Sequence, residues 1–154
     1  MNQVPPHALW LGHAGEGRDY RQLLERGIRA VVQLAAEEPP LQPPRELIYL
    51  RFPLNDGADN PADLLSLAIC SLASLIRCRV PTLACCGAGM SRSPAVAASA
   101  ISTATGEPPD EVLKWISRGR PCDVSPGLWG ELSRSLAHPT RIIEPPVSNG
   151  PSSL

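Results

Sequence analysis

The ten residues from Cys85 to Pro94, Cys-Cys-Gly-Ala-Gly-Met-Ser-Arg-Ser-Pro, constrain the fold of this chain more than any other feature. The short apolar run 80–84 before them is typical of a buried strand, and the alanine-rich run 95–101 after them favours a helix. The stretch is therefore predicted to be a strand-to-helix turn. Backbone N–H groups converge in such a turn, and the helix N-terminus adds unpaired donors and partial positive charge. We expect an anion-binding loop that prefers a phosphate-like group.

Two side chains make this loop a candidate for catalysis. Cys86 stands at its start, where a helix N-terminus and a nearby arginine favour the thiolate. Arg92 stands at its end, and its planar guanidinium matches two phosphate oxygens at once. A thiolate facing a bound phosphorus atom can attack it and form a phosphocysteine. The residues expected to bind the phosphate are Gly87, Ala88, Gly89, Met90, Ser91 and Arg92.

The run from Cys86 to Ser93 resembles the signature loop of the cysteine-dependent protein tyrosine phosphatases, and its Ala-Gly-x-Ser-Arg-Ser core is most similar to the dual-specificity branch. The resemblance covers about residues 8–136. It implies a metal-free phosphatase that acts on phosphotyrosine, phosphoserine or phosphothreonine proteins, with Ser93 assisting the departure of the cysteine sulfur. One position departs from the family: a histidine usually precedes the nucleophile, and this chain has Cys85.

Cleavage of a phosphate ester also needs an acid that protonates the leaving oxygen. The loop contains no carboxylate, so the acid must come from another segment. Asp56 lies in an Asn-Asp-Gly turn after a predicted strand, a place similar to that of the general acid in dual-specificity phosphatases, and Asp59 is its rival. Glu37 and Glu38 are interpreted as solvated charges in a proline-rich loop.

Strands and helices alternate along the chain and end in a run of helices. This order predicts a single α/β domain with a mostly parallel central sheet covered by helices on both faces. We expect a phosphatase-like catalytic domain over 1–136 and a flexible C-terminal tail over 137–154, where Pro, Ser, Asn and Gly prevail.

Composition excludes several classes of function. The net charge of −1 provides no basic field for nucleic acid or an anionic membrane, and no apolar run is long enough to span a bilayer. The five cysteines have no disulfide-framework spacing, which indicates a reducing, cytoplasmic setting. The three histidines are scattered, so no metal or other cofactor is expected. We expect a monomer whose partner is a phosphorylated protein or a small phosphate ester.

Three other functions stay open on the sequence. The loop could bind phosphate without turnover, or belong to a sulfur-transfer or arsenate-reducing enzyme. The substrate could also be a lipid, inositol or RNA phosphate. Because Gly87, Ala88, Met90 and Ser91 are uncharged, the sequence favours substrates other than polyanions.

Overall fold

The computed structural model describes residues 1–138 and contains one five-stranded sheet. In the described part of the chain the strands are β1 (Asn2–Gln3), β2 (Leu9–His13), β3 (Ala30–Ala35), β4 (Ile48–Leu54) and β5 (Thr82–Cys86). Their spatial order is β1-β2-β5-β3-β4. The short β1 runs antiparallel to β2, and every other neighbouring pair is parallel. The predicted α/β fold with a mostly parallel sheet is confirmed.

Six helices accompany these strands in residues 1–138: α1 (Ala14–Arg18), α2 (Tyr20–Glu25), α3 (Ala62–Arg77), α4 (Arg92–Thr105), α5 (Pro109–Gly119) and α6 (Pro126–Ala137). Because successive strand residues point to opposite faces, the sheet has two apolar sides to cover. The larger core packs α3 to α6 on one side, and the smaller core packs Leu23 of α2 on the other. Helices therefore lie on both faces, as predicted.

The predicted boundary between domain and tail lies at the end of α6. Ala137 is the last residue of that helix. Residues 139–154, most of the predicted flexible tail, lie outside the described residues. The domain limits stay a prediction.

The centre of the sheet sets the position of the functional loop. β5 lies between β2 and β3, although it follows both in sequence, so the connections diverge on either side of it. The parallel strands β3, β4 and β5 end at one edge, at Ala35, Leu54 and Cys86. Segments that leave these ends are brought together there, and ligands of open α/β sheets bind at such an edge.

Candidate active site

The loop between β5 and α4 is held in shape by two backbone contacts with the β2–α1 corner. Gly89 has a φ of +74°, and a Cβ there would lie 2.6 Å from the carbonyl oxygen of Gly12. Only glycine satisfies both demands. The carbonyl of Gly87 accepts a hydrogen bond of 3.1 Å from the amide of Ala14. Because α4 begins at Arg92, its first backbone N–H groups have no partner within the helix and remain as donors at this loop.

A cavity of about 170 Å³ opens at this loop and brings six of the predicted residues together, whereas Gly87, Gly89 and Ser93 do not line it. Cys86 ends β5, is only 2% exposed and is a free thiol. Its neighbours in the cavity come from the loop itself and from two distant segments. The lining residues are Asp56, Cys86, Ala88, Met90, Ser91, Arg92 and Asp123.

Arg92 is fixed by contacts that use only part of its guanidinium. Nη1 and Nη2 donate to the two carboxylate oxygens of Glu37, and Nη1 also donates to the carbonyl of Leu54 at 2.9 Å. A guanidinium has five N–H donors, so Nε–H and one hydrogen of Nη2 remain. Nε is buried and has no partner within residues 1–138. The edge formed by Nε and Nη2 is therefore left to bind an oxyanion in two places.

Glu37 orients this arginine. It is an exposed loop charge, as interpreted from the sequence, with 56% of its side chain accessible, but its pairing with Arg92 was not predicted. Arg92 holds the pKa of Glu37 below its usual value through the hydrogen-bonded ion pair. The pair approaches the loop closely, since a Cβ on Gly87 would lie 3.0 Å from Glu37 Oε1 and 3.4 Å from Arg92 Nη2. Its position in the sequence could have indicated this contact, because Glu37 follows the end of β3, at the same edge of the sheet as Cys86. The neighbouring Glu38 instead pairs with Arg18.

Asp56 is tied to the loop by a side chain of the loop itself. The Ser91 hydroxyl donates to Asp56 Oδ1, and Ser91 Oγ accepts a hydrogen bond of 3.1 Å from the amide of Ser125. The carboxyl group is thereby held at the cavity. The rival Asp59 does not line the cavity. Its backbone N–H donates to Glu131.

The fold was compared with known proteins. No family model matches the chain, and no curated protein matches it. Solved structures do match. The chain superposes on human DUSP28 with a TM-score of 0.74 at 24% identity, over 84% of this chain and 92% of that one. DUSP15 gives the same TM-score at 26% identity, over 88% of this chain and 86% of that one. A mouse putative dual specificity phosphatase, solved with zinc tungstate, gives a TM-score of 0.74 at 24% identity, over 89% of this chain and 90% of that one.

The chain has the fold of the dual-specificity phosphatases. The resemblance drawn from the signature loop is thus confirmed for the fold by three independent superpositions that each span more than four-fifths of both chains.

Within this dual-specificity phosphatase fold, Ser93 lies in the first turn of α4. It is fully buried, and its hydroxyl has no hydrogen-bond partner in residues 1–138. A buried hydroxyl without a partner is costly, since it loses its hydration and gains nothing in exchange. The Ser93 hydroxyl therefore has an unused donor hydrogen within residues 1–138.

Cys85 occupies the position of the family's usual histidine and points away from the cavity. Adjacent strand residues face opposite sides of a sheet, and Cys85 accordingly packs in the smaller core while Cys86 packs in the larger. Its sulfur lies 2.8 Å from where a Cβ on Gly17 would stand. Burial raises the pKa of the Cys85 thiol to about 12, and the neighbouring Cys86 adds to the rise. Gly17 of α1 therefore packs closely against the Cys85 side chain.

Asp123 is a cavity residue that sequence reasoning missed. It lies in the segment between α5 and α6, and its backbone N–H donates to the carbonyl of Met90 at 2.8 Å. Nearby, Arg120 donates to the carbonyl of Gly89. No sequence motif marks this segment, and only the fold brings it to the loop. We refer to the carboxylates of Glu37, Asp56 and Asp123 as the three loop-side carboxylates.

Other features of residues 1–138 lie apart from this site. A groove of about 580 Å³ between α3, α4 and α6 is larger than the cavity at the loop but contains none of the loop residues. No group of three or more histidine, cysteine, aspartate or glutamate side chains in this part of the chain is arranged to hold a metal ion. No helix of the described residues is long and apolar enough to cross a membrane.

Proposed function

We propose that the protein hydrolyses phosphate monoesters on phosphotyrosine, phosphoserine or phosphothreonine proteins through a phosphocysteine intermediate. The observation that carries this proposal is the content of one cavity of about 170 Å³: the Cys86 thiol, the Arg92 guanidinium and the Asp56 carboxyl all line it. These are the nucleophile, the anion-binding group and the acid that phosphate ester cleavage needs. They come from two segments of the chain, thirty positions apart in sequence.

In the first step, the Cys86 thiolate attacks phosphorus, and the bond between phosphorus and the leaving oxygen breaks. The equatorial oxygens receive hydrogen bonds from the loop N–H groups and from the free edge of Arg92, where charge spreads in the transition state. Asp56 protonates the leaving oxygen. The Ser91 contact supports this role because it holds the Asp56 carboxyl at the cavity.

In the second step, water displaces the sulfur from phosphorus. The Asp56 carboxylate accepts the proton of that water, and inorganic phosphate leaves. The hydroxyl of Ser93 donates to the departing sulfur, which would satisfy a buried group that otherwise has no partner in residues 1–138. No step requires a bound cofactor or metal. We further propose a cytoplasmic monomer.

The test is turnover of an aryl phosphate such as p-nitrophenyl phosphate in the presence of a chelator. We expect activity in the native sequence and none in Cys86→Ser. The matched control is Cys85→Ser, which changes the adjacent thiol on the opposite face of the sheet and should retain activity. Hydrolysis that persists in Cys86→Ser would overturn the proposal. Phosphate binding without hydrolysis would identify a binding module, and turnover restricted to lipid, inositol or RNA phosphates would replace the protein substrate.

A further inference from the structure

The charges that line the catalytic cavity are unbalanced. Among residues 1–138, Arg92 is the one basic side chain that lines it, whereas Asp56 and Asp123 both line it. The charge of Arg92 is already matched by Glu37, which bonds to both of its terminal nitrogens. Ala88, Met90 and Ser91, which also line the cavity from the loop, carry no charge. A second negative group on a substrate would therefore meet repulsion beside the phosphate.

Asp123 differs from the other two loop-side carboxylates because its carboxylate has no partner among residues 1–138. Glu37 is paired with Arg92, and Asp56 accepts from Ser91. No side chain or amide of residues 1–138 donates to the Asp123 carboxylate, and the residue is exposed. This carboxylate is free to pair with a group that a substrate brings.

The position of Asp123 is nevertheless fixed. Its backbone N–H donates to the carbonyl of Met90 at 2.8 Å, and two residues later the amide of Ser125 donates to Ser91 Oγ at 3.1 Å. Both acceptors belong to the signature loop, so the segment is attached to the phosphate-binding backbone at two points. The Asp123 backbone is thereby held beside the loop, and its short side chain keeps the carboxylate close to the loop, as a specificity residue requires.

We propose that Asp123 selects substrates that carry a positive charge next to the phosphate, namely phosphopeptides with arginine or lysine adjacent to the phosphorylated residue. This inference rests on the proposed phosphatase function and specifies its substrate. Consecutive Cα atoms lie 3.8 Å apart, so a residue adjacent to the phosphorylated one stays at the cavity mouth while the phosphate reaches the loop. There its guanidinium or ammonium pairs with Asp123. An acidic neighbour would face the same carboxylate with like charge.

The size of the preference follows from the exposure of the pair. Solvent-exposed ion pairs change affinity by a factor of about 1.5 to 5, and replacing the partner by a like charge adds repulsion of similar size. We therefore expect the arginine peptide to bind about tenfold more tightly than its glutamate counterpart at low salt. The ratio should fall as ionic strength rises, because exposed charges are screened.

The experiment measures binding in a Cys86→Ser background, which removes the nucleophile and prevents turnover. Two dye-labelled phosphotyrosine peptides that differ only in an adjacent arginine or glutamate are titrated by fluorescence anisotropy, with unphosphorylated peptides as blanks. Adding Asp123→Asn should reduce the affinity ratio from about tenfold to about threefold, and Asp123→Lys should reverse it. Glu46→Gln is the matched control: it removes the same charge just before β4, at the opposite edge of the sheet, and should leave the ratio unchanged.

An affinity ratio that Asp123→Asn does not change would overturn the inference, as would equal binding of the two peptides or no binding of either. Thermal melting of each variant establishes that it is folded. Failure of the proposed function is separate: it would appear as no hydrolysis of an aryl phosphate by the native chain, whatever the peptide ratio. A preference found only for small phosphate esters that carry an amine would replace the peptide as the substrate.

Discussion

The signature loop is one continuous segment from Cys86 to Arg92, whereas the three loop-side carboxylates come from three separate segments. Glu37 follows β3, Asp56 follows β4, and Asp123 precedes α6. The donors of the anion site, the loop N–H groups and Arg92, all lie in this one segment and the start of the helix behind it. Glu37 and Asp56 reach the loop because the sheet order brings the ends of β3, β4 and β5 together. Asp123 reaches it through the segment between α5 and α6, which bonds to Met90. A chemical group can thus be recognised in the sequence when its partners are local, and recognised only in the fold when they are not.

The largest effect is expected where the two regions meet. Arg92 belongs to the loop, and Glu37 orients it from outside. Arg92→Lys removes the planar fork that bonds to both carboxylate oxygens and to an oxyanion, so kcat/KM for an aryl phosphate should fall about a thousandfold. Arg118→Lys makes the same substitution at an exposed residue of α5 and should have little effect. Retention of activity in Arg92→Lys would show that charge alone suffices at this position.

The next effect tests Asp56, the proposed general acid, which lies outside the loop. Asp56→Asn should lower turnover of substrates with poor leaving groups by about a hundredfold, and the loss should shrink for a good leaving group that needs little protonation. Asp59→Asn should do much less, because Asp59 does not line the cavity. Steady-state rates over a series of aryl phosphates measure this dependence. Equal losses for the two variants, or a loss independent of the leaving group, would reject Asp56.

Glu37→Gln should have a smaller effect, a roughly tenfold loss of affinity for inorganic phosphate, since the glutamine amide keeps the shape of the side chain but not its charge. Looser orientation of Arg92 should weaken binding of inorganic phosphate to the Cys86→Ser protein, measured by calorimetry. Glu38→Gln, one residue away, is the control. Tighter phosphate binding in Glu37→Gln would contradict the positioning role and indicate that the carboxylate competes for the site.

The same pair predicts a pH dependence of stability. The pKa of Glu37 is lowered in the folded protein from its ordinary value of 4.5. The ionised carboxylate therefore contributes fully to the free energy of unfolding well above pH 4.5, and this contribution is lost as the pH falls through the pKa of the folded state. The difference in unfolding free energy between the native chain and Glu37→Gln should shrink in acid. Denaturant unfolding at pH 7 and below pH 4.5 measures it, and a difference that grows in acid would contradict the ion pair.

The smallest effect is expected at Cys85, which borders the nucleophile but faces the other core. Cys85→Ala should change kcat/KM by less than about twofold, because the removed thiol packs against Gly17 and not against the cavity. With its pKa raised to about 12, Cys85 should also resist alkylation at pH 8 in the folded protein. Peptide mapping after iodoacetamide treatment checks this, and rapid labelling of Cys85 would contradict its burial.

Prediction from the sequence succeeded where periodicity and local chemistry agreed. The run around Val31 and Val32 predicts β3, and the apolar stripe through Leu65 and Leu72 predicts α3. The two-residue β1 and the glycine-containing α1 were not predicted, because elements this short carry no periodic signal.

The residues of the candidate site also fall into those that the sequence predicts and those that only the fold reveals. The residues of the loop and Asp56 follow from motif, turn chemistry and resemblance, and Cys86, Arg92 and Asp56 line one cavity. Glu37 and Asp123 could not be assigned, because their roles depend on contacts over 55 and 33 positions of sequence, with Arg92 and Met90.

The central claim is that Cys86 becomes covalently phosphorylated at this loop, and trapping that intermediate tests it most directly. The protein is mixed with a fast-reacting aryl phosphate, quenched in acid within milliseconds and analysed by peptide mass spectrometry. The account predicts one phosphate on the peptide that contains Cys86 in the native chain, and none in Cys86→Ser. Hydrolysis of the substrate at full rate with no phosphate on Cys86 at any quench time would contradict it.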